Sequence, residues 1–231
     1  MGKRICYIPI RSNEEILLNV VDDLYNQVDA FEIINSTGRN LTPCFESHDK
    51  DKKIFILDPL DPLCYEQSLN VAIKHSIIFQ KQDDFIIWAH FDIRVKPGAV
   101  DALMQAYEQI KDTKWGVLYG YYDTLCLFNP KFFTQEGIWG DPNLFPNYFG
   151  DNHRYRIMDL RGYSRSNAPD VSDKVEHIGS QTIRNNAYFG IVNALTFSLE
   201  AQLYARLWGG GPGQETIIDP TAQGLYPIRN N

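Results

Sequence analysis

The sequence predicts an α/β fold: a mostly parallel central sheet flanked by helices. Two observations predict it. Through the first 115 residues, short apolar runs alternate with amphipathic stretches in the order β-α-β, loop, β-α-β-α, the alternation of a parallel sheet covered by helices. Within that half, Phe85 to Ala89 is apolar without a break and without period-two alternation, as in a strand buried on both faces. Polarity returns abruptly at His90 and Asp92, so an acid sits at the carboxyl end of the candidate central strand, the edge where open α/β sheets bind ligands.

The elements follow in order. Tyr7 to Ile10 reads as a short buried strand ending in Pro9-Ile10-Arg11. Ser12 with Glu15 three residues later has the capping-box pattern. Ile16, Leu17, Val20, Val21, Leu24 and Val28 then mark one helical face. Phe31 to Ile34 is a second strand, closed by Asn35-Ser36-Thr37-Gly38, and residues 38 to 53 read as loop. Ile54 to Leu57 is a third strand, before the turn-rich Asp58-Pro59-Leu60-Asp61-Pro62. Tyr65 to Phe79 is helical, with Leu69, Ala72, Ile73 and Ser76 on one face. After the central strand, Pro97 opens a helix that turns Val100, Leu103, Met104, Tyr107 and Ile110 inward.

The second half changes character. Val117 to Phe128 is one strand or a hairpin, and residues 129 to 150 are aromatic and rich in Gly and Pro. Asp151 to Leu160 has helical spacing and stops at Gly162. A polar connection leads to Val175-Glu176-His177-Ile178, and Leu199 to Trp208 is a helix ended by Gly209-Gly210-Gly211-Pro212. The chain reads as one domain over 1–231, with no internal repeat.

The bulk numbers exclude some classes. A net charge of −7 argues against a general binder of nucleic acid or anionic membrane. No run approaches the roughly 18 apolar residues of a transmembrane segment, and the first residues carry no signal-peptide pattern. Cys6, Cys44, Cys64 and Cys126 are scattered, with no metal or disulfide spacing, so reduced thiols and a cytoplasmic, soluble or peripheral protein are expected.

Polar residues gather in four places where such a scaffold would form a pocket: Arg11, Asn35 and Asp58; His90 and Asp92; Asp151; and His177. An Asp and a His from distant segments suit an O/N site for a divalent cation. Each also has a plainer reading. Asp151 opening a helix is ordinary N-cap chemistry, His177 beside a strand is an ordinary hydrogen-bonded histidine, and Asn35 before Ser-Thr-Gly is turn chemistry. The aromatics from Trp139 to Phe149 serve packing as readily as stacking. The Gly209 to Gly213 run lacks the lysine and the preceding strand of a phosphate loop.

The order of these features resembles a GT-A glycosyltransferase, nearest the family 2 pattern, over nearly the whole chain. The first strand ends in Pro9-Ile10-Arg11-Ser12-Asn13, and EIINSTG closes the second with Asn35 where the family has an acid. SLNVAIKHS places Asn70 in the family's helical Asn position. HFDIRVKPG echoes the Asp-x-Asp-like metal signature, with His90 for its first acid and Asp92 as its last. LCLFNPKFFTQEGIWGDPNLFPNYFGDNHRYRIMDLRGYS resembles the acceptor-side block. Asp151 falls there on the second acid of a pair, and Gly150 on the first. VEHIGSQT resembles the late His-x-Gly-Ser close, and LYARLWGGGPGQE the Trp-Gly-Gly ending of some members.

The resemblance implies a nucleotide-sugar-binding half (1–115) and an acceptor-binding, catalytic half (116–231). It implies an inverting, metal-assisted transfer of a hexosyl or deoxyhexosyl group from a UDP-, dTDP- or GDP-sugar to a carbohydrate hydroxyl, as in polysaccharide biosynthesis. Asp92 and His177 would hold Mn2+ or Mg2+, and Asp151 would act as general base. Pro9, Arg11, Asn35, Asp58, Asn70 and His90 would line the donor side, with Trp139, Tyr148 and Phe149 facing the acceptor. Two other readings stay open: a GT-A module that binds a nucleotide sugar or glycan without turnover, and a nucleotidyltransferase on a related scaffold. The absence of a Gly-rich, Lys/Arg-containing loop after the first strand argues against the last.

Overall fold

The computed structural model describes residues 2–137, 139–141, 143–179, 184 and 187–220. Its centre is a seven-stranded sheet in the order β3-β2-β1-β4-β7-β6-β8. These strands are β1 (Ile5–Ile10), β2 (Ala30–Asn35), β3 (Ile54–Leu57), β4 (Ile86–Ala89), β6 (Trp115–Tyr121), β7 (Leu125–Phe128) and β8 (Ser164–Asn167). The β3-β2-β1-β4 block is parallel throughout. β7 runs antiparallel to both β4 and β6, and β8 lies parallel to β6 at the edge. A second, two-stranded sheet pairs β5 (Ile93–Val95) antiparallel with β9 (Val175–His177). The expected α/β class, a mostly parallel sheet flanked by helices, is what the chain adopts.

Period-two alternation decides which side chains go to which face. Cys6, Ile8 and Ile10 of β1, Ile87 and Ala89 of β4, and Leu125 and Leu127 of β7 face one core. That core is completed by α1 (Glu14–Leu24), α2 (Thr42–Phe45) and α4 (Ala99–Ile110), with Val171 of α7 (Pro169–Ser172). Tyr7, Ile86, Trp88, Cys126 and Phe128 face the other, beneath α3 (Tyr65–Ile78), α5 (Pro130–Glu136), α6 (Gly150–Leu160) and α8 (Ala187–Trp208). Because strands from both halves of the chain build one sheet, Trp88 and Cys126 oppose each other directly across it.

Several local expectations change. The Ser12/Glu15 capping box does not form: the cap of α1 is Asn13, in the left-handed region at φ 66°, whose side chain does not cap the helix, and the Ser12 hydroxyl is buried with no hydrogen-bond partner among the described residues. A reciprocal box does form at Cys64 and Gln67, opening α3. The helix after Pro97 starts at Ala99, with Gly98 as its cap at φ 78°. Residues 38 to 53, read as loop, hold the single turn of α2. Val117 to Phe128 resolves as a hairpin, β6–β7. The helix expected over Leu199 to Trp208 begins twelve residues earlier, at Ala187, and runs for 22 residues.

Candidate functional site

Parallel pairing puts the carboxyl ends of β1, β2, β3 and β4 at one edge of the sheet. Ile10 lies level with Asn35, Ile34 with Leu57, and Tyr7 with Trp88. Asn35, ending β2, and Arg11, Asp58, His90 and Asp92, which follow β1, β3 and β4, therefore share that edge. A cavity of about 280 Å³ opens there, lined by Pro9, Arg11, Tyr65, His90, Asp92 and His177 among others. Arg11 also lines an adjoining cleft of about 480 Å³, with Ser12, Thr37, Arg39, Tyr188 and Phe189.

His177 reaches this edge through β9. Its backbone lies opposite Ile93, and the Ile178 amide donates to the Asp92 carbonyl at 2.9 Å. The His177 Nε2 thereby stands 3.4 Å from Asp92 Oδ1. His90 completes a cluster in which one donor atom from each of His90, Asp92 and His177 lies within 4.8 Å of the others. The Asp92 carboxylate is buried, while His177 remains about a third exposed. His90 is steadied from behind: its amide donates to the Thr124 carbonyl at 2.8 Å, and its Nε2 lies 3.5 Å from the Tyr65 hydroxyl. Three nitrogen and oxygen donors this close, beside a cavity, fit a divalent cation.

Tyr65, the first residue of α3, connects this cluster to Asp123. Its hydroxyl accepts from Trp88 Nε1 at 3.2 Å and donates to Asp123 Oδ2 at 3.0 Å. Asp123, in the β6–β7 turn, sits near enough to Asp151 for its charge to act on that carboxyl. Asp151 lies in the first turn of α6, whose cap residue is Phe149 rather than Asp151 itself. Burial, chiefly, and then the Asp123 charge push the Asp151 carboxyl up to about 6, with Arg154 pulling the other way.

Other expected residues hold the frame. Asn35 is fully engaged: its Nδ2 donates to the Arg39 carbonyl (2.7 Å) and Asp58 Oδ1 (2.6 Å), and its Oδ1 accepts from the Thr37 amide and hydroxyl. Asn70 makes a reciprocal amide clamp with Gly140, at 2.8 and 2.9 Å. Trp139 packs against Phe133 and over the Lys74 ammonium. Tyr148 and Phe149 pack on Phe197 of α8. Glu200, buried on α8, accepts from the Asn147 and Tyr148 amides at 3.1 and 2.7 Å and fixes that loop.

Sequence reasoning missed Tyr65, Asp123, Arg154 and Glu200. Asp123 sits in a Tyr-Tyr-Asp-Thr turn where Asp is unremarkable, and Glu200 is an acid within an apolar helix, the one signal that stood out locally. Arg11 did announce itself. Its guanidinium lies over the Phe189 ring at 5.2 Å, and burial lowers its pKa from the ordinary value.

No protein-family model and no curated protein matches the sequence. Among solved structures, the chain is similar to 4-diphosphocytidyl-2C-methyl-D-erythritol synthase at 10% identity and a TM-score of 0.45, over 72% of this chain and 88% of that one. It is also similar to a protein of Desulfovibrio desulfuricans G20 assigned provisionally as a nucleotide-diphospho-sugar transferase. That match has 12% identity and a TM-score of 0.48, over 72% of this chain and 80% of the other. At these values neither decides the chemistry of this chain, which is read from its own residues. Among the described residues, no helix is long and apolar enough to cross a membrane.

Proposed function

We propose that the protein is a glycosyltransferase of GT-A type, moving a sugar from a nucleoside-diphosphate sugar to a hydroxyl of a carbohydrate acceptor with inversion. The observation that carries this reading is the meeting of His90, Asp92 and His177 at the carboxyl edge of the sheet, beside two adjoining cavities that share Arg11. The larger cleft has the dimensions and the Arg11–Phe189 stack to take a nucleoside. The smaller cavity would take the diphosphate and sugar.

His90, Asp92 and His177 would hold the cation, which when bound neutralises charge on the departing diphosphate. Arg11 supplies fixed positive charge between the two cavities. Asp151 takes the proton from the acceptor hydroxyl as that oxygen attacks the anomeric carbon from the face opposite the leaving group. A positioned base is worth about 10² to 10⁴ in rate. Its raised pKa suits the task, since a carboxylate basic to about 6 accepts a proton better than an ordinary one. Tyr65 and Asp123 act on the base indirectly, as positioning residues.

One observation favours a second reading, a module that binds nucleotide sugar without turnover. The Asn35 side chain, where the family pattern has an acid, is wholly spent on Asp58, Arg39 and Thr37. The test is incubation with UDP-, GDP- and dTDP-sugars and oligosaccharide acceptors, with and without EDTA. Glycosyl transfer that falls sharply in Asp151→Asn supports the enzyme. Binding without nucleoside diphosphate release supports the module, and pyrophosphate formation or consumption supports nucleotidyl transfer.

A further inference from the structure

We propose that His90, Asp92 and His177 form a two-histidine, one-carboxylate centre that selects a borderline transition-metal ion, Zn2+ foremost, over Mn2+ and Mg2+. The inference rests on reading the cluster as a cation site and names its ion. It also departs from the Mn2+ or Mg2+ that the sequence pattern implies.

The donor set is the first argument. Mg2+ is a hard ion that takes oxygen ligands in near-octahedral geometry and sheds water reluctantly. Mn2+ likewise suits carboxylate, carbonyl and water, and binds N/O sites less tightly than Zn2+. Here two of the three donors are imidazoles, and the single carboxylate comes from Asp92. Replacing the acid of the sequence pattern by His90 therefore removes a hard, anionic donor and installs a nitrogen that Zn2+, Co2+ or Fe2+ prefers. Two histidines and one carboxylate with further positions free for water or a ligand oxygen is a catalytic zinc donor set.

Geometry is the second. Donors about 2.05 Å from a tetrahedral zinc lie roughly 3.3 Å apart, and His177 Nε2 and Asp92 Oδ1 are 3.4 Å apart. The three donor atoms span no more than 4.8 Å, so modest side-chain adjustment closes the set. The backbone that carries them is already tied. Asp92 directly precedes β5 and His177 ends β9 in a ladder extended by the Ile178 to Asp92 bond, and His90 is anchored to Thr124. Behind His90, the Tyr65 hydroxyl at 3.5 Å restrains the ring, as outer partners of metal-bound histidines do.

The test is metal binding by the full chain, stripped with EDTA and dialysed, titrated by calorimetry with Zn2+, Co2+, Mn2+ and Mg2+ separately. Co2+ also gives a visible absorption readout. Zn2+ and Co2+ are expected to bind at one equivalent, with Zn2+ about 100-fold or more tighter than Mn2+. His90→Asp, checked for folding by circular dichroism, is expected to weaken Zn2+ at least about 10-fold and tighten Mn2+. Mn2+ or Mg2+ binding the wild type as tightly as Zn2+ would overturn the proposal, and so would Zn2+ binding that a folded His90→Asp leaves unchanged. The two readings fail separately: intact Zn2+ preference with no sugar transfer sinks only the enzyme, whereas transfer with no Zn2+ preference sinks only the choice of ion.

Discussion

The Glu66 carboxylate fills the space that a side chain at position 150 would need. A Cβ added to Gly150 would lie 2.5 Å from Glu66 Oε1, and one added to Gly140 would strike the same carboxylate. Glu66 is held there by Arg154, whose Nη1 donates to both of its oxygens at 2.8 and 2.6 Å. The place that the resemblance gives to the first acid of a pair at the head of α6 is thus already filled by an acid from α3. Restoring the pair with Gly150→Asp is therefore expected to cost stability, about 3 kcal/mol, by overpacking and by setting one carboxylate against another. Chemical denaturation checks it, and a loss below about 1 kcal/mol would show that Glu66 yields easily.

Glu66 and Arg154 form a buried ion pair, each about 2–3% exposed at the side chain. Arg154→Met alone strands a buried carboxylate and is expected to lose about 3–5 kcal/mol. Adding Glu66→Gln to it removes the stranded charge and is expected to recover much of the loss. Urea unfolding of the wild type, both single variants and the double variant measures the coupling.

Much of the frame was legible in the sequence because the parallel block is built from apolar runs that only a two-sided core explains. β1 to β4 and the faces of α1, α3 and α4 follow directly from spacing. β8 was not legible, since Ser164–Asn167 is an exposed polar edge strand with no apolar alternation to betray it. β5 was hidden within the motif read as a strand end, its three residues recognisable only by their pairing with β9. In the site, residues 90, 92 and 177 were named as chemistry-bearing, but their meeting is a tertiary fact. The links through Tyr65 and Asp123 to Asp151 depend on a hairpin turn whose composition is ordinary.

Glu32 is buried opposite Tyr7 on the neighbouring strand, 3.9 Å from His75 Nδ1, and one carboxylate oxygen lacks a hydrogen-bond partner among the described residues. Burial pushes its carboxyl up to about 7, against a bond from Gln80 that favours ionisation. The folded chain thus keeps a proton that the unfolded chain releases near pH 4.5. Stability from this group is full below that pH and is lost as pH rises through about 7. Glu32→Gln is expected to remove the slope, changing the variant-minus-wild-type unfolding free energy by up to about 3 kcal/mol between pH 4.5 and 8. A pH series of thermal melts reads this directly, and parallel curves would contradict it.

Asp151 must be ionised to accept a proton, and burial with the Asp123 charge pushes its carboxyl up to about 6. Under the proposed function, kcat/KM is expected to rise through pH 6 and level off above it. Asp123→Asn removes a neighbouring negative charge and is expected to move that limb toward the ordinary carboxylate range, while Asp151→Asn lowers the plateau by about 10² to 10⁴. A pH–rate profile insensitive to Asp123 would break the link between the two acids.

Under the proposed function, the sheet edge at 90, 92 and 177 and the head of α6 at 151 serve one reaction centre. The most direct measurement is a crystal structure with a nonhydrolysable nucleoside-diphosphate sugar and a divalent cation. The nucleoside is expected beside Arg11 and Phe189, the diphosphate at His90, Asp92 and His177, and the Asp151 carboxylate facing the sugar from the side opposite the leaving group. A nucleotide bound elsewhere, or Asp151 screened from the sugar by Tyr65, would contradict it.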